Sequence, residues 1–328
     1  MNKINDNRKK FTKTSFSNIK KTKLLNDYAL SIYYNNINDA LKYTGEMLCS
    51  IYIYDLWKIY IQFYCNYIHI NNIRLGIYLN QKFDEFKNCM KQIQNDYEIR
   101  NDNKLRKLFF TLTLLFCHSN KENRVSNLFI QFDIHSINDN LKADNIEYIQ
   151  KYFIMNDPKE YYIPLNEFIY HLENKDKTQL FYWINWIIEY DLYLIKHKKQ
   201  IFIQKRSITN FSNNKKDCNI IWLLWYIIIQ YSKLKHSMIH KTILSICELF
   251  KIKYTYVNNK TYRCLLYTAI HILIDNVDIN IKLNENMDIF NNIEEHIKNI
   301  FDNLKKKEIW NEEDKTKKEK MMEMVYKI

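Results

Sequence analysis

Glycine and proline are nearly missing. The 328-residue chain has two of each, Gly45 and Gly76, Pro158 and Pro164. Soluble proteins carry roughly 7% Gly and 5% Pro. Tight hairpins need residues with positive φ, and Asn replaces Gly there only in part. The shortage excludes a hairpin-rich fold and predicts long helices joined by loops of Asn, Asp and Lys. It also excludes the glycine-built nucleotide and nucleophile motifs, since no P-loop, G-x-G-x-x-G or G-x-S-x-G occurs.

Paired cysteines are lacking as well. The seven (49, 65, 89, 117, 218, 247, 264) form an odd set without a C-x-x-C step, mostly inside apolar stretches such as LCSIYI and SICELF. They read as free thiols in a reducing compartment. No apolar region follows the polar, basic start, so no secretory signal is expected and the protein reads as cytoplasmic. Membrane-length runs are missing too, since a span needs about 20 mostly apolar residues. LFYWINWIIEYD (180–191) contains Asn185, Glu189 and Asp191, and IIWLLWYIIIQY (220–231) is too short. A charge at bilayer depth costs about 2.5–3.5 kcal/mol.

Aromatic residues are abundant: 26 Tyr, 18 Phe and 6 Trp in a chain that is 47% apolar. That supply of buriable area excludes global disorder despite the Asn- and Lys-laden text, a bias that an AT-rich genome produces. A helical period starts near residue 24 with Leu25, Tyr28, Ala29 and Ile32. Asn38 or Asp39 is placed to cap a second helix. A nearly all-apolar helix follows around Trp57, then helices over about 73–98 and from Leu105. Residues 119–145 lack a period and read as a loop with one short element. Pro158 and Pro164 frame a connector. Further helices are expected around the two Trp-x-x-Trp steps, at 239–250, 264–274 and 287–304, and to residue 328.

The steps Trp183/Trp186 and Trp222/Trp225 raise the question of a repeat, since helix-pair repeats have periods of roughly 34–47 residues. One matching pair is too little for an array. The plainer reading makes Trp57, Trp183, Trp186, Trp222 and Trp225 core aromatics, with the two paired-Trp helices packed on each other. The alternative is a Trp platform for a base or a partner peptide.

The net charge is +12 and is unevenly placed. Residues 1–24 hold eight cations against Asp6 alone and read as a flexible basic arm. Residues 193–216 hold Lys196, Lys198, Lys199, Lys205, Arg206, Lys215 and Lys216 with no acid, and read as a loop. Lys251, Lys253, Lys260 and Arg263 extend the run. Such clusters can neutralise phosphates, with affinity that falls steeply with salt; they can also meet an acidic protein or be a solvated surface.

Other chemistry is thin. His236 and His240 stand at i, i+4, a spacing that binds zinc, but no third ligand is evident. Cys117-His118 and Cys264 with His271 are no stronger, so neither metal nor cofactor is expected. Glu46, Asp55, Glu189, Glu248 and Asp275 lie in apolar helices, where any two that met could act as an acid/base pair.

The segments TGEMLCSIYIYDLWKIYIQFYCNYIHINNIRLGIYL (44–79), LFYWINWIIEYD, IIWLLWYIIIQY and KTYRCLLYTAIHILID (260–275) resemble an all-helical protein family of large nucleocytoplasmic (giant) DNA viruses. The resemblance covers about 40–303. Its most specific pieces are the helix with Glu46, Asp55 and Trp57, the doubled Trp helices, and the segment around Arg263. It implies a viral protein of the infected-cell cytoplasm or the virion, with no catalytic residues to carry over.

The expected architecture is mostly α, an irregular multi-helix array over 25–303 with a possible division near 119–145. A basic arm (1–24) precedes it and a charged helix (304–328) follows. The expected function is a non-enzymatic interaction or scaffold protein with protein partners, a virion or replication-factory component. The alternatives are a nucleic-acid-binding factor using 193–216 and the arm, and an enzyme with a Glu/Asp/His site.

Overall fold

The computed structural model describes residues 3–6, 8, 11–122, 132–211, 214–253, 263–284 and 287–309. The fold is mostly α, as the scarcity of Gly and Pro requires. Among the described residues no strand forms, and the extended contact is one isolated bridge between Thr14 and Lys20. The helices are α1 (Lys21–Tyr33), α2 (Ile37–Cys49), α3 (Ile53–Phe63), α4 (Ile73–Gln92), α5 (Asp96–Asn101), α6 (Asn103–His118), α7 (Tyr162–Glu173), α8 (Lys177–Lys196), α9 (Asn214–Asp217), α10 (Ile221–Ser232), α11 (Ser237–Lys253), α12 (Arg263–Ile274) and α13 (Ile293–Lys305).

Asn and Asp start the helices. The cap of α2 is Asn36, just ahead of the expected Asn38 or Asp39, and its side chain accepts from the Asp39 N–H. Asn95, Asp102 and Asp176 do the same for α5, α6 and α8. Pro164 does not frame a connector. It lies in the first turn of α7, where a missing N–H costs no helical bond. Positive φ falls on Asn18, Asn35, Ile51, His69, Lys175 and Lys198, and on neither glycine. Gly45 instead permits a close approach: a Cβ there would meet Ile300 Cγ2 of α13 at 2.5 Å.

The chain divides into two compact units, one of residues 1–61, 81–119 and 284–328, the other of residues 62–80 and 120–283. In the first unit α2 and α6 are central, with α1 and α13 packed on both. The core joins Trp57 to Phe83, Phe86 and Phe109, with ring centroids 4.9–5.8 Å apart. It also ties Tyr28, Tyr60 and Thr113 by hydroxyl hydrogen bonds of 3.0 Å. The segment read as a flexible arm is anchored in its described part. Ile4 and Phe16 are buried, Phe16 donates its N–H to Ser50 Oγ at 2.8 Å, and Arg100 Nη1 donates to the Asp6 carbonyl at 2.9 Å. Two apolar anchors in a polar text are too few to register as a period.

In the second unit α8 packs on α7 and α12, and α10 packs on α11 and α12. All four paired tryptophans are buried. The two paired-Trp helices do not mainly pack on each other, however. Trp222 and Trp225 both lie against Phe250 of α11, at 5.6 and 5.4 Å. A π-helical turn (Tyr64–Ile68) and a 3-10 turn (His69–Asn72) pack on α12. The expected short element of 119–145 is a 3-10 turn, Ile134–Asn140. Residues 310–328 of the charged C-terminal segment lie outside the described residues.

Candidate functional site

The basic segment 193–216 is not an unneutralised patch. Arg206 is buried and turns its guanidinium onto Asp157, which sequence reading does not connect to it. Nη1 donates to Asp157 Oδ1 at 3.2 Å and to the Gln204 carbonyl at 2.8 Å, and Nη2 pairs with Asp157 Oδ2. Lys205 Nζ pairs with Asp217 Oδ2 at 2.8 Å. Burial works to raise the pKa of Asp217, but the hydrogen bonds from Lys205 and the Phe211 N–H outweigh it and hold the carboxyl below its usual range. Arg263 Nη1 and Nη2 donate to Asn185 Oδ1 and Glu189 Oε1, both at 2.6 Å, and Lys251 pairs with Glu248 at 2.6 Å. Lys216 is half-buried, and its carbonyl accepts from Trp222 Nε1 at 2.6 Å. Lys260 and the side chains of Lys215 and Lys253 lie outside the described residues. What stays exposed of this run without a carboxylate partner, among the described residues, is the turn after α8, with Lys196, Lys198 and Lys199.

The acids singled out in the sequence are partnered separately. Buried Glu46 accepts from the hydroxyls of Ser15 and Ser17 and from the Ser17 N–H, and so fixes residues 15–17. Asp55 pairs with Lys21 at 2.6 Å. Asp275 Oδ2 receives both Lys177 Nζ and His271 Nδ1 at 2.7 Å. Missed by sequence is His69, whose ring stacks on that of His271 with centroids 5.2 Å apart. Both its ring nitrogens are buried without a hydrogen-bond partner, and burial, with His271 alongside, lowers its pKa to about 4. The His271–Asp275 pair has the orientation of a general base, yet His271 Nε2 is itself buried and unpartnered. Closed in this way, it serves the core. Asp191, also missed, is raised to about 6 by burial, despite hydrogen bonds from Asn219 and Tyr161.

His236 and His240 are each engaged locally through Nδ1. His236 Nδ1 accepts from the Met238 N–H at 3.2 Å, and His240 Nδ1 bonds Ser232 Oγ at 2.7 Å. Among the described residues no three His, Cys, Asp or Glu side chains group to hold a metal ion, and no helix is long and apolar enough to cross a membrane.

A groove in the first unit combines unsatisfied charge with accessible apolar surface. It has a volume of about 300 Å³ and runs between α2 and α13. Leu41, Ile300, Leu304 and Ile19 make its floor. Asn38 and Lys42 of α2 form one rim, and His296, Asn299, Asn303 and Lys307 the other. The residues from α13 and its end recur at i, i+3, i+4, i+7, i+8 and i+11, three turns or roughly 16 Å. Neither Lys42 nor Lys307 pairs with a carboxylate among the described residues. The lining carboxylate, Glu46, is buried against Ser15 and Ser17. Sequence reading expected a helix over 287–304 but passed over the groove; the buried stripe of α13 is Ile293, Ile297, Phe301 and Leu304. The available signal was Ile300, an apolar residue one step off that stripe, next to Asn299.

Comparison of the chain with protein-family models, curated proteins and solved structures finds no match.

Proposed function

We propose that this is a non-enzymatic interaction protein that receives an acidic amphipathic helix of a partner in the α2–α13 groove. One observation carries this reading: a groove whose lining runs three turns along α13, over an apolar floor of Ile19, Leu41, Ile300 and Leu304, is flanked by two lysines without carboxylate partners among the described residues. A helix laid in a groove presents a ridge of apolar side chains at i, i+3, i+4 and i+7, with polar residues to either side. The volume suits a few such side chains, and it sits at the small end of the roughly 300–1,000 Å³ of small-molecule sites. Lys42 and Lys307 select Glu and Asp at the partner's flanks. In the viral setting that the resemblance implies, the role is that of a scaffold component in the virion or the replication factory.

The test uses a fluorescent synthetic helix with a leucine ridge and glutamate flanks, titrated with the full chain. Its affinity is expected to fall with salt, and to fall by about tenfold in Lys42→Glu/Lys307→Glu. A peptide with lysine in place of glutamate is expected not to bind. Equal binding of both peptides, or an unchanged affinity in the double variant, removes the proposal.

A second reading, nucleic-acid binding, is favoured by the turn after α8. Lys196, Lys198 and Lys199 are exposed there and Phe202 is 37% exposed, offering phosphate contacts beside a ring on which a base can stack. It predicts retardation of mixed-sequence DNA or RNA at low salt that Lys198→Glu/Lys199→Glu abolishes. No retardation at micromolar protein disposes of it.

A further inference from the structure

We propose that the second unit carries a peripheral docking surface for anionic phospholipid, built from the turn at 154–157 and the segment after α8. The turn presents apolar side chains to solvent. Met155 stands at its corner and is 95% exposed, and Ile154 beside it is 43% exposed. Neither is loosely held. The Asp157 N–H donates to the Ile154 carbonyl at 2.8 Å, and the Ile154 N–H donates to Asp157 Oδ2 at 2.9 Å, so the turn is closed twice. The buried Asp157 carboxylate also takes the Arg206 guanidinium, whose Nη2 reaches the Tyr152 carbonyl at 3.3 Å. Apolar side chains on an ordered corner give up little backbone freedom when they enter another medium.

The same carboxylate brings a second segment alongside. The N–H groups of Gln204 and Ile154 donate to its two oxygens, which sets residues 202–206 next to the turn. On that segment Ile203 is buried and Phe202 is partly exposed. Leading into it, Lys196, Lys198 and Lys199 are exposed, and so is Lys159, two residues past Asp157. None of the four pairs with a carboxylate among the described residues. Across 151–163 and 193–206 the exposed acid is Glu160 alone. Protruding apolar side chains with free cations on the adjoining chain match the boundary of an anionic bilayer. Met155, Ile154 and Phe202 enter the acyl edge while the lysines meet the headgroups, and no membrane-spanning helix is needed. Nucleic acid would use the lysines and Phe202 but has no counterpart for Ile154 and Met155, since its bases stack on rings and its phosphates need donors.

The full chain is sedimented with vesicles of phosphatidylcholine mixed with phosphatidylserine, and with vesicles of phosphatidylcholine alone. Binding is expected to the mixed vesicles only, and to weaken as salt is added. Met155→Asp is expected to lower that affinity about tenfold. Its melting temperature and any retardation of nucleic acid should match the wild type, because the side chain is solvated. No sedimentation with the mixed vesicles, equal binding to both kinds, or equal binding by wild type and Met155→Asp overturns the proposal. So does a Met155→Asp variant that loses retardation of nucleic acid and keeps its vesicle binding. The α2–α13 groove belongs to the first unit, and its peptide titration succeeds or fails independently of these results.

Discussion

Arg206→Met is expected to destabilise the second unit by about 3–5 kcal/mol, because it leaves the Asp157 carboxylate buried without its countercharge. The Asp157 side chain is fully buried and that of Arg206 is 4% exposed. The carboxylate also accepts the N–H groups of Ile154 and Gln204 at 2.9 and 3.0 Å, so it holds two loops as well as the guanidinium. A buried pair replaced on both sides by apolar groups is often nearly neutral. Asp157→Leu/Arg206→Met is therefore expected to recover much of the loss, short of the two backbone hydrogen bonds. Urea unfolding followed by tryptophan fluorescence checks this, since Trp183, Trp186, Trp222 and Trp225 all belong to that unit. A loss under about 1 kcal/mol in the single variant would mean that the carboxylate reaches water or another cation.

Trp57→Ala is expected to cost the first unit about 3–5 kcal/mol. Trp57 is fully buried among Phe83, Phe86, Phe109 and Tyr60, so truncation leaves a cavity in this ring cluster. Trp57→Phe is expected to cost far less. It keeps a ring in the cluster and removes Nε1, which is buried without a hydrogen-bond acceptor and so carries a desolvation cost. Thermal melting by circular dichroism separates the two variants. If phenylalanine proved as damaging as alanine, the indole N–H would have to be satisfied, and the account of this cluster would be wrong.

The part of the fold legible in the sequence is the part written at short range. The spacing around Leu105, Leu108, Phe109 and Leu112 marks α6, because burial on one helical face imposes a period of 3.6 on neighbouring positions. The paired tryptophans were legible as core for the same reason. Their partners were not: Phe250 lies a whole helix away from Trp222, and nothing in either local pattern points to the other. The basic segment misled in an instructive way. Counting charges within 193–216 found no acid, yet Asp157 comes from another loop and Asp217 from just past the segment's end. Electrostatics acts through space, and a window on the chain cannot see a carboxylate folded onto it.

The candidate groove shows the same division. Asn299, Ile300 and Asn303 could be read as a helix surface, but a groove exists only where a second helix supplies the opposite rim. Gly45 sets that approach by leaving room for Ile300.

By itself the sequence determined an all-helical chain, an aromatic interior, the absence of glycine-built nucleotide sites and of membrane-length runs, since each follows from composition or from spacing within a few turns. Tertiary structure alone decided which of the described cations remain free, that His69 meets His271, and that α2 and α13 leave a furrow between them. Those outcomes depend on pairs distant in the chain, whose encounter is set by how whole helices pack and by the high cost of burying a charge or a polar atom without its partner.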